Sequence, residues 1–111
     1  CQAAAAMLAG EGIDAGIVDL RSLAPLDVET CAEVLRTTGR GVVVHEGSAV
    51  GGVGDAWIGA LLPVVFGWLH APLCKVAAAH TPMPSSPQLE ELVMPDAAAV
   101  AAMARALVRE Y

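Results

Sequence analysis

The residues with the clearest chemical potential stand where an apolar run becomes polar. His45 and Glu46 end the run Gly41–Glu46, GVVVHE. A histidine beside a carboxylate is the pairing that a general base and its orienting group require. The two residues are adjacent, however, so on a β-strand their side chains point to opposite faces. The pair therefore favours a structural or interface role over catalysis.

A glycine-rich loop follows this pair, and it could bind an anion at the start of the next helix. Gly51-Gly52-Val53-Gly54 lacks the Gly-Lys-Ser/Thr ending of a phosphate-binding P-loop and does not match the dinucleotide-binding fingerprint. The pattern is more typical of a tight turn that lets a helix pack closely. We expect that structural role.

The remaining candidates are histidines, serines and cysteines: His45, His70, His80, Ser48, Ser85, Ser86, Cys1, Cys31 and Cys74. The histidines lack metal-ligand spacing, and the serines lack the nucleophile-elbow pattern. The cysteines are odd in number and contain no CxxC pair, which argues against a disulfide framework and favours a reducing, cytoplasmic setting. No self-sufficient active site is apparent, which points to a binding or assembly domain.

Composition narrows the class of protein further. The 111 residues are 56% hydrophobic and 16% charged, with a net charge of −6 and one lysine, Lys75. A single domain spanning residues 1–111 is expected, and the absence of a basic patch excludes nucleic acid and anionic membranes as partners. The stretch Ala56–Cys74 carries no formal charge apart from His70, but glycines and prolines interrupt it. It is predicted to form a buried helix followed by a buried strand rather than a membrane span.

Helical and strand patterns alternate along the chain. Helices are predicted over Gln2–Leu8, from Asp27 to Gly39, over Asp55–Leu69 with a break at Pro63, and over Pro95–Tyr111. The last helix should bury a stripe made of Val100, Met103, Ala104, Leu107 and Val108. Strands are predicted over Ile13–Leu20, Gly41–Glu46 and Ala71–Ala78. This alternation predicts an α/β fold of three layers, α/β/α, with a mostly parallel sheet. Loops 20–26, 45–54 and 79–87 should then meet at the carboxyl edge of the sheet.

Four stretches in this order carry a family resemblance: GIDAGIVDLRSLAPLD, GRGVVVHEGSAVGGVGDA, WLHAPLCKVAAAHTPMP and LVMPDAAAVAAMARAL. Together they resemble the C-terminal domain of transketolase-like enzymes, above all the beta subunit of the E1 component of 2-oxo acid dehydrogenase complexes of the pyruvate, branched-chain or acetoin type. The resemblance covers nearly the whole chain.

The resemblance implies a role in assembly. In such enzymes thiamine diphosphate and magnesium are held outside this domain, which packs against an E1 alpha subunit and a second beta subunit and helps to dock the basic subunit-binding domain of E2. The chain would then be a fragment whose first family strand lies before Cys1, and it would contain no catalytic, cofactor-binding or metal-binding residue. We expect the partner interfaces to include His45, Glu46, Gly51, Gly52, Asp55, His70, Lys75, His80 and Tyr111.

Several positions depart from the family pattern. Ala56 replaces a usual glutamate, His70 and His80 stand where acidic residues are common, and Lys75 replaces an arginine. The lysine cannot form the bidentate pair that an arginine can. Loss of the three acidic positions predicts weaker or altered docking of a basic partner. Two alternatives remain open: a non-catalytic interaction module, stand-alone or divergent, and another transketolase-like enzyme.

Overall fold

A computed structural model describes residues 1–111 as helices around two parallel strands. The elements in order are α1 (Gln2–Ala9), α2 (Val28–Thr38), β1 (Val42–Ser48), α3 (Val53–Val65), a 3₁₀ turn (Phe66–Trp68), β2 (Cys74–Ala78), α4 (Pro87–Val93) and α5 (Ala97–Glu110). The α/β fold with a parallel sheet is therefore confirmed. None of the helices combines the length and the apolar character needed to cross a membrane.

The two strands are in regular register only over their first halves. Val42 pairs with Cys74 and Val44 with Val76, and the next pair is Ser48 with Ala78. Three residues of β1 therefore face one residue of β2, which produces a bulge at His45–Gly47. Bulges redirect side chains at the point where they occur, and this bulge lies beside the candidate pair of His45 and Glu46.

Separate apolar clusters cover the two faces of the sheet. On one face, Val44 and Val76 pack against α1 and α5, with Leu8 and Ala101 at the centre of that cluster. On the other face, α2 and α3 meet through Ala32, Leu35, Leu61 and Val65, and Leu69 and Leu73 pack on them. Alternation of side chains along a strand accounts for this division, since successive residues point to opposite faces. The three-layer arrangement is thus present.

The predicted helix start at Asp27 is confirmed, and α5, predicted from Pro95, begins at Ala97 with Asp96 as its cap. The carboxylate of Asp27 accepts hydrogen bonds from the backbone N–H of Thr30 at 3.1 Å and from its hydroxyl at 2.7 Å. These bonds hold the pKa of Asp27 below its ordinary value. Asp96 caps α5 in the same way, through the N–H of Ala99 at 2.7 Å.

The end of α2 is also as predicted. Gly39 closes the helix in the left-handed conformation, at φ 68°, and glycine is the residue that adopts this conformation without steric cost. Cys31 is buried on the inner face of the helix, and burial raises the pKa of its thiol. It therefore packs in the core as a small apolar side chain.

The predicted strand Ile13–Leu20 is wrong, because this segment is not hydrogen-bonded to any strand. Ile13 and Ala15 still pack against the α1–α5 cluster, and Leu20 packs against the α2–α3 cluster. Ile17 and Val18, between them, are exposed. The prediction of a buried strand therefore fails in two respects: its middle, Ile17-Val18, is exposed, and no neighbouring strand accepts its hydrogen bonds.

Three smaller expectations are corrected. Helix α3 continues past Pro63 and ends at Val65, because Leu61 and Val65 anchor the last turn in the core. Val108 is exposed, since the buried face of α5 is shifted by one residue to include Ala101. The short helix α4 was not predicted; a proline in its first turn starts it.

Candidate interface sites at the two ends of the sheet

The loops after β1 and β2 meet at the carboxyl end of the sheet. The hydroxyl of Ser48, the last residue of β1, lies 2.9 Å from Nδ1 of His80 and also accepts a hydrogen bond from the N–H of Val50 at 3.2 Å. The backbone N–H of Ala49 donates to the carbonyl of Ala78 at 2.8 Å. These contacts join the second and third of the predicted loops. The first loop, residues 20–26, is largely exposed and makes only local bonds such as that between Arg21 and Asp19.

His45 is the one buried polar residue of this edge. Its ring meets the indole of Trp57 edge-on, with centroids 6.4 Å apart, and glycines of the following loop enclose it. Neither ring nitrogen has a hydrogen-bond partner, and the same holds for Nε1 of Trp57. Glu46, next along the strand, is exposed, as alternation predicts. The two side chains therefore do not form a base with its orienting carboxylate.

Asp55 ties the glycine loop to the sheet. Its carboxylate accepts a hydrogen bond from the N–H of Gly51 at 3.0 Å and forms an ion pair with the ammonium group of Lys75 on β2. The hydrogen bond with Lys75 is the main cause that holds the pKa of Asp55 below its ordinary value. Gly51 adopts φ 67°, which a glycine tolerates. The Asp55 carboxylate therefore occupies the first turn of α3, where an anion would otherwise bind. This arrangement agrees with the structural role expected for the glycine loop.

The opposite end of the sheet carries a shallow apolar groove. His70 precedes β2, and its backbone N–H donates to the carbonyl of Gly39 at 2.8 Å. The ring of His70 and the side chain of Tyr111 line a groove of about 520 Å³ together with apolar residues of α3 and of the segment before β2: Ile58, Leu62, Phe66, Leu69, Ala71, Pro72 and Leu73. This groove is suited to apolar contact.

The structure therefore divides the nine predicted interface residues between two places. Six lie at the carboxyl end of the strands: His45, Glu46, Gly51, Gly52, Asp55 and His80. Lys75, the second residue of β2, reaches this group through its ion pair with Asp55, and His70 and Tyr111 line the groove at the other end. Sequence reasoning missed Ser48 as the partner of His80, although its place directly after an apolar strand was a usable signal. It also missed the exposure of the apolar residues of α3.

The residues present do not form a site for thiamine diphosphate and magnesium. No group of three His, Cys, Asp or Glu side chains lies close enough together to hold a metal ion. The one helix start that follows a glycine loop has the Asp55 carboxylate in its first turn, which would repel a diphosphate.

Comparison with known proteins identifies the family. The model of the transketolase C-terminal domain matches residues 1–100. The chain is 48% identical, over 92% of its length, to the beta subunit of acetoin:2,6-dichlorophenolindophenol oxidoreductase from Cupriavidus necator, and covers 30% of that protein. It is 39% identical, over 87% of its length, to the pyruvate dehydrogenase E1 component subunit beta of Rhizobium meliloti, and covers 21% of that protein. It is 37% identical, over 85% of its length, to the mitochondrial pyruvate dehydrogenase E1 component subunit beta of Dictyostelium discoideum, and covers 26% of that protein. The chain thus spans less than a third of the length of these relatives, and it belongs to the transketolase C-terminal domain family.

Proposed function

We propose that the chain is the C-terminal assembly domain of the beta subunit of an E1-type enzyme. The main support for this proposal is the 48% identity, over 92% of the chain, to the beta subunit of acetoin:2,6-dichlorophenolindophenol oxidoreductase. The many exposed apolar side chains agree with a domain that binds neighbouring subunits. In the complete enzyme, an alpha subunit and the rest of the beta subunit would hold thiamine diphosphate and magnesium, and the cofactor would supply the carbanion chemistry. The setting would be cytoplasmic.

Acetoin and pyruvate are the substrates to consider first. The relative named for acetoin is more similar to this chain than the relatives named for pyruvate, at 48% against 39% identity. We therefore place acetoin ahead of pyruvate, with the acyl unit passing to a lipoyl group of an E2 partner. This chain contributes to the reaction only by positioning other subunits.

The domain would also need a strand that this chain does not supply. The sheet has two strands, and the segment 13–20 contacts the helical clusters of both faces without pairing to β1 or β2. A preceding part of the same beta subunit would provide the additional strand. This agrees with the share of the relatives that the chain covers.

Docking of a basic E2 domain would be altered in this protein. Ala56 is exposed in the first turn of α3, and His80 is exposed at the neighbouring loop. Neither residue offers the negative charge that is usual at these positions. If docking occurs here, the variants Ala56→Glu and His80→Asp should strengthen it and make it more sensitive to salt. Strong, salt-sensitive binding by the unchanged protein would contradict this part of the proposal.

Purification of the native protein tests the main proposal. We expect a beta subunit about three times as long as this chain, by the 30% coverage of its relative, co-purifying with an alpha subunit and thiamine diphosphate. The complex should reduce 2,6-dichlorophenolindophenol with acetoin and, more weakly, with pyruvate. A native protein without an alpha partner and without thiamine diphosphate would refute the proposal and favour a non-catalytic interaction module. Turnover by the 111-residue chain alone would refute it as well.

A further inference from the structure

Ser48 and His80 bring a hydroxyl group and an imidazole together at the carboxyl end of the sheet. Oγ of Ser48 lies 2.9 Å from Nδ1 of His80. Ser48 is the only serine of the chain whose hydroxyl is hydrogen-bonded to another side chain. A hydroxyl in hydrogen-bonding contact with a base is the arrangement that activates a serine as a nucleophile.

The backbone of the sheet holds this contact in place. Ser48 is in register with Ala78 of β2, and the N–H that follows Ser48 donates to the carbonyl of Ala78 at 2.8 Å. The N–H of Thr81 donates to the carbonyl of Ala79 at 2.8 Å, which closes a three-residue turn centred on His80. The two side chains therefore stand at the ends of adjacent parallel strands, the edge at which open α/β sheets carry their sites.

The hydrogen bonds of Ser48 suit a hydroxyl that gives up its proton. Its Oγ accepts a hydrogen bond from the N–H of Val50 at 3.2 Å. When the ring of His80 is neutral with its proton on Nε2, Nδ1 is an acceptor and the hydroxyl of Ser48 donates to it. As the proton moves to Nδ1, the N–H of Val50 stabilises the negative charge that develops on Oγ.

The pair is also open to a reagent from solvent. Ser48 is half-buried and His80 is exposed. The other imidazole of this end of the sheet cannot replace His80, because His45 is buried and neither of its ring nitrogens contacts a hydroxyl. His80 is therefore the base that the structure offers to Ser48.

We propose that Ser48 is a site of acylation by activated acyl esters and that His80 acts as its general base. A bond forms between Oγ and the carbonyl carbon of the ester, and the bond from that carbon to the leaving oxygen breaks with its electron pair. The proton of Ser48 passes to Nδ1 of His80 and then to the leaving group. The products are an ester of Ser48 and a free alcohol or phenol, so the step needs neither an oxidant nor a metal.

Acetylation of the native protein by 4-nitrophenyl acetate tests the proposal. Peptide mass spectrometry measures the rate at each serine, and Ser85, exposed in the loop after His80, serves as the internal control. General-base assistance contributes about 10²–10⁴-fold where the pair is well positioned, and exposure to water should reduce this contribution. We expect Ser48 to react at least about tenfold faster than Ser85. Equal rates at the two serines of the unchanged protein would overturn the proposal.

A variant of His80 separates a base from a merely structural partner. His80→Asn keeps a side chain that can hydrogen-bond to the hydroxyl but cannot take up its proton. We expect the rate at Ser48 to fall to that of Ser85, whose own rate should not change. In the unchanged protein the rate at Ser48 relative to Ser85 should also fall as the pH is lowered and the imidazole becomes protonated, and His80→Asn should lack this dependence. A rate at Ser48 that is the same in both proteins would overturn the role of His80.

A matched pair of serine variants identifies the reacting group. Ser48→Ala should abolish the fast release of 4-nitrophenol, whereas Ser85→Ala should retain it, and circular dichroism confirms that each variant is folded. Fast release that survives in Ser48→Ala would overturn the proposal. The reaction uses no thiamine diphosphate and goes beyond the proposed function. Fast acetylation of Ser48 in a native protein without an alpha partner would therefore support this inference while refuting the proposed function.

Discussion

Gly54 and His45 fit against each other so closely that a Cβ added to Gly54 would lie 2.6 Å from Nε2 of His45. Gly52 is similarly placed, with an added Cβ 2.7 Å from Cε1 of the same ring. The bulge in β1 and the glycine loop thus form one packed unit around the histidine. Close packing against the ring explains Gly54, the ring and the carbonyl of Ser48 together explain Gly52, and a positive φ explains Gly51. No ligand is needed to account for these glycines.

We predict that Gly54→Ala destabilises the domain by about 1–3 kcal/mol, because the new methyl group must displace an aromatic ring in a packed site. Gly59→Ala in the same helix provides the control, since it meets no atom within 4 Å. That variant should stabilise the protein by roughly 0.5–1 kcal/mol through the higher helix propensity of alanine. Urea unfolding measures both changes.

The ring itself can be tested in the same series. In a His45→Ala background the methyl group at position 54 has room, so Gly54→Ala should no longer be destabilising there. The two substitutions should therefore be strongly non-additive in the free energy of unfolding. Additive effects would show that the ring is not what Gly54 accommodates.

Glu11 and Arg105 connect the end of α1 to α5, and the link should make stability depend on pH. Two nitrogens of Arg105 donate to the carboxylate of Glu11, and these hydrogen bonds, more than the charges of Arg105 and Arg109, hold the pKa of Glu11 below its ordinary value of 4.5. A carboxyl whose pKa is lowered on folding contributes stability above its unfolded pKa and loses it as the pH falls through the folded pKa. We predict that Glu11→Gln lowers the thermal midpoint at pH 7, and that the difference from the unchanged protein shrinks as the pH falls below 4.5 and is lost once the pH is below the lowered pKa of the folded state.

Arg105→Lys is the matched variant for this link. It keeps the positive charge but cannot donate two parallel hydrogen bonds to Glu11. Its thermal midpoint at pH 7 should lie between those of the unchanged protein and Glu11→Gln, and high salt should reduce all the differences because the pair is partly exposed. A difference for Glu11→Gln that persists undiminished at pH 3 would contradict the assignment.

Asp55 should control the order of the glycine loop. Its carboxylate binds the N–H of Gly51 and the ammonium group of Lys75 at the same time. Asp55→Ala removes both contacts, and Asp55→Asn removes the ion pair while retaining an oxygen that can accept from Gly51. We predict that amide hydrogen exchange at Gly51 becomes faster in the order unchanged protein, Asp55→Asn, Asp55→Ala. Equal exchange in all three would mean that packing around His45 alone holds the loop.

The sequence predicts the elements of this fold where local chemistry determines them. Asp27 and Gly39 mark the ends of α2 because side-chain capping and left-handed backbone are properties of single residues. The apolar residues of Ile13–Leu20 predict a buried strand, but they contain no information on whether a neighbouring strand is present, and that prediction was wrong. The contact of Ser48 with His80 joins residues 32 positions apart, so no local pattern contains it. The exposed side of α3 was not predicted, because the sequence of a helix that is apolar all round does not show which side of the helix is buried.

The segment 13–20 offers a direct test of whether a strand is supplied from elsewhere in the subunit. In this chain the residues Ile13 and Leu20 pack on opposite helical layers, while Ile17 and Val18 are exposed and no strand pairs with the segment. If an additional strand pairs with it in the native subunit, its amides become hydrogen-bonded and buried. We predict slow hydrogen exchange over Asp14–Leu20 in the native subunit and fast exchange in the 111-residue chain. Amides in the middle of α2, around Leu35, serve as the control and should be protected in both. Fast exchange of the segment in the native subunit would show that no strand is added there and that the two-stranded sheet is the complete one.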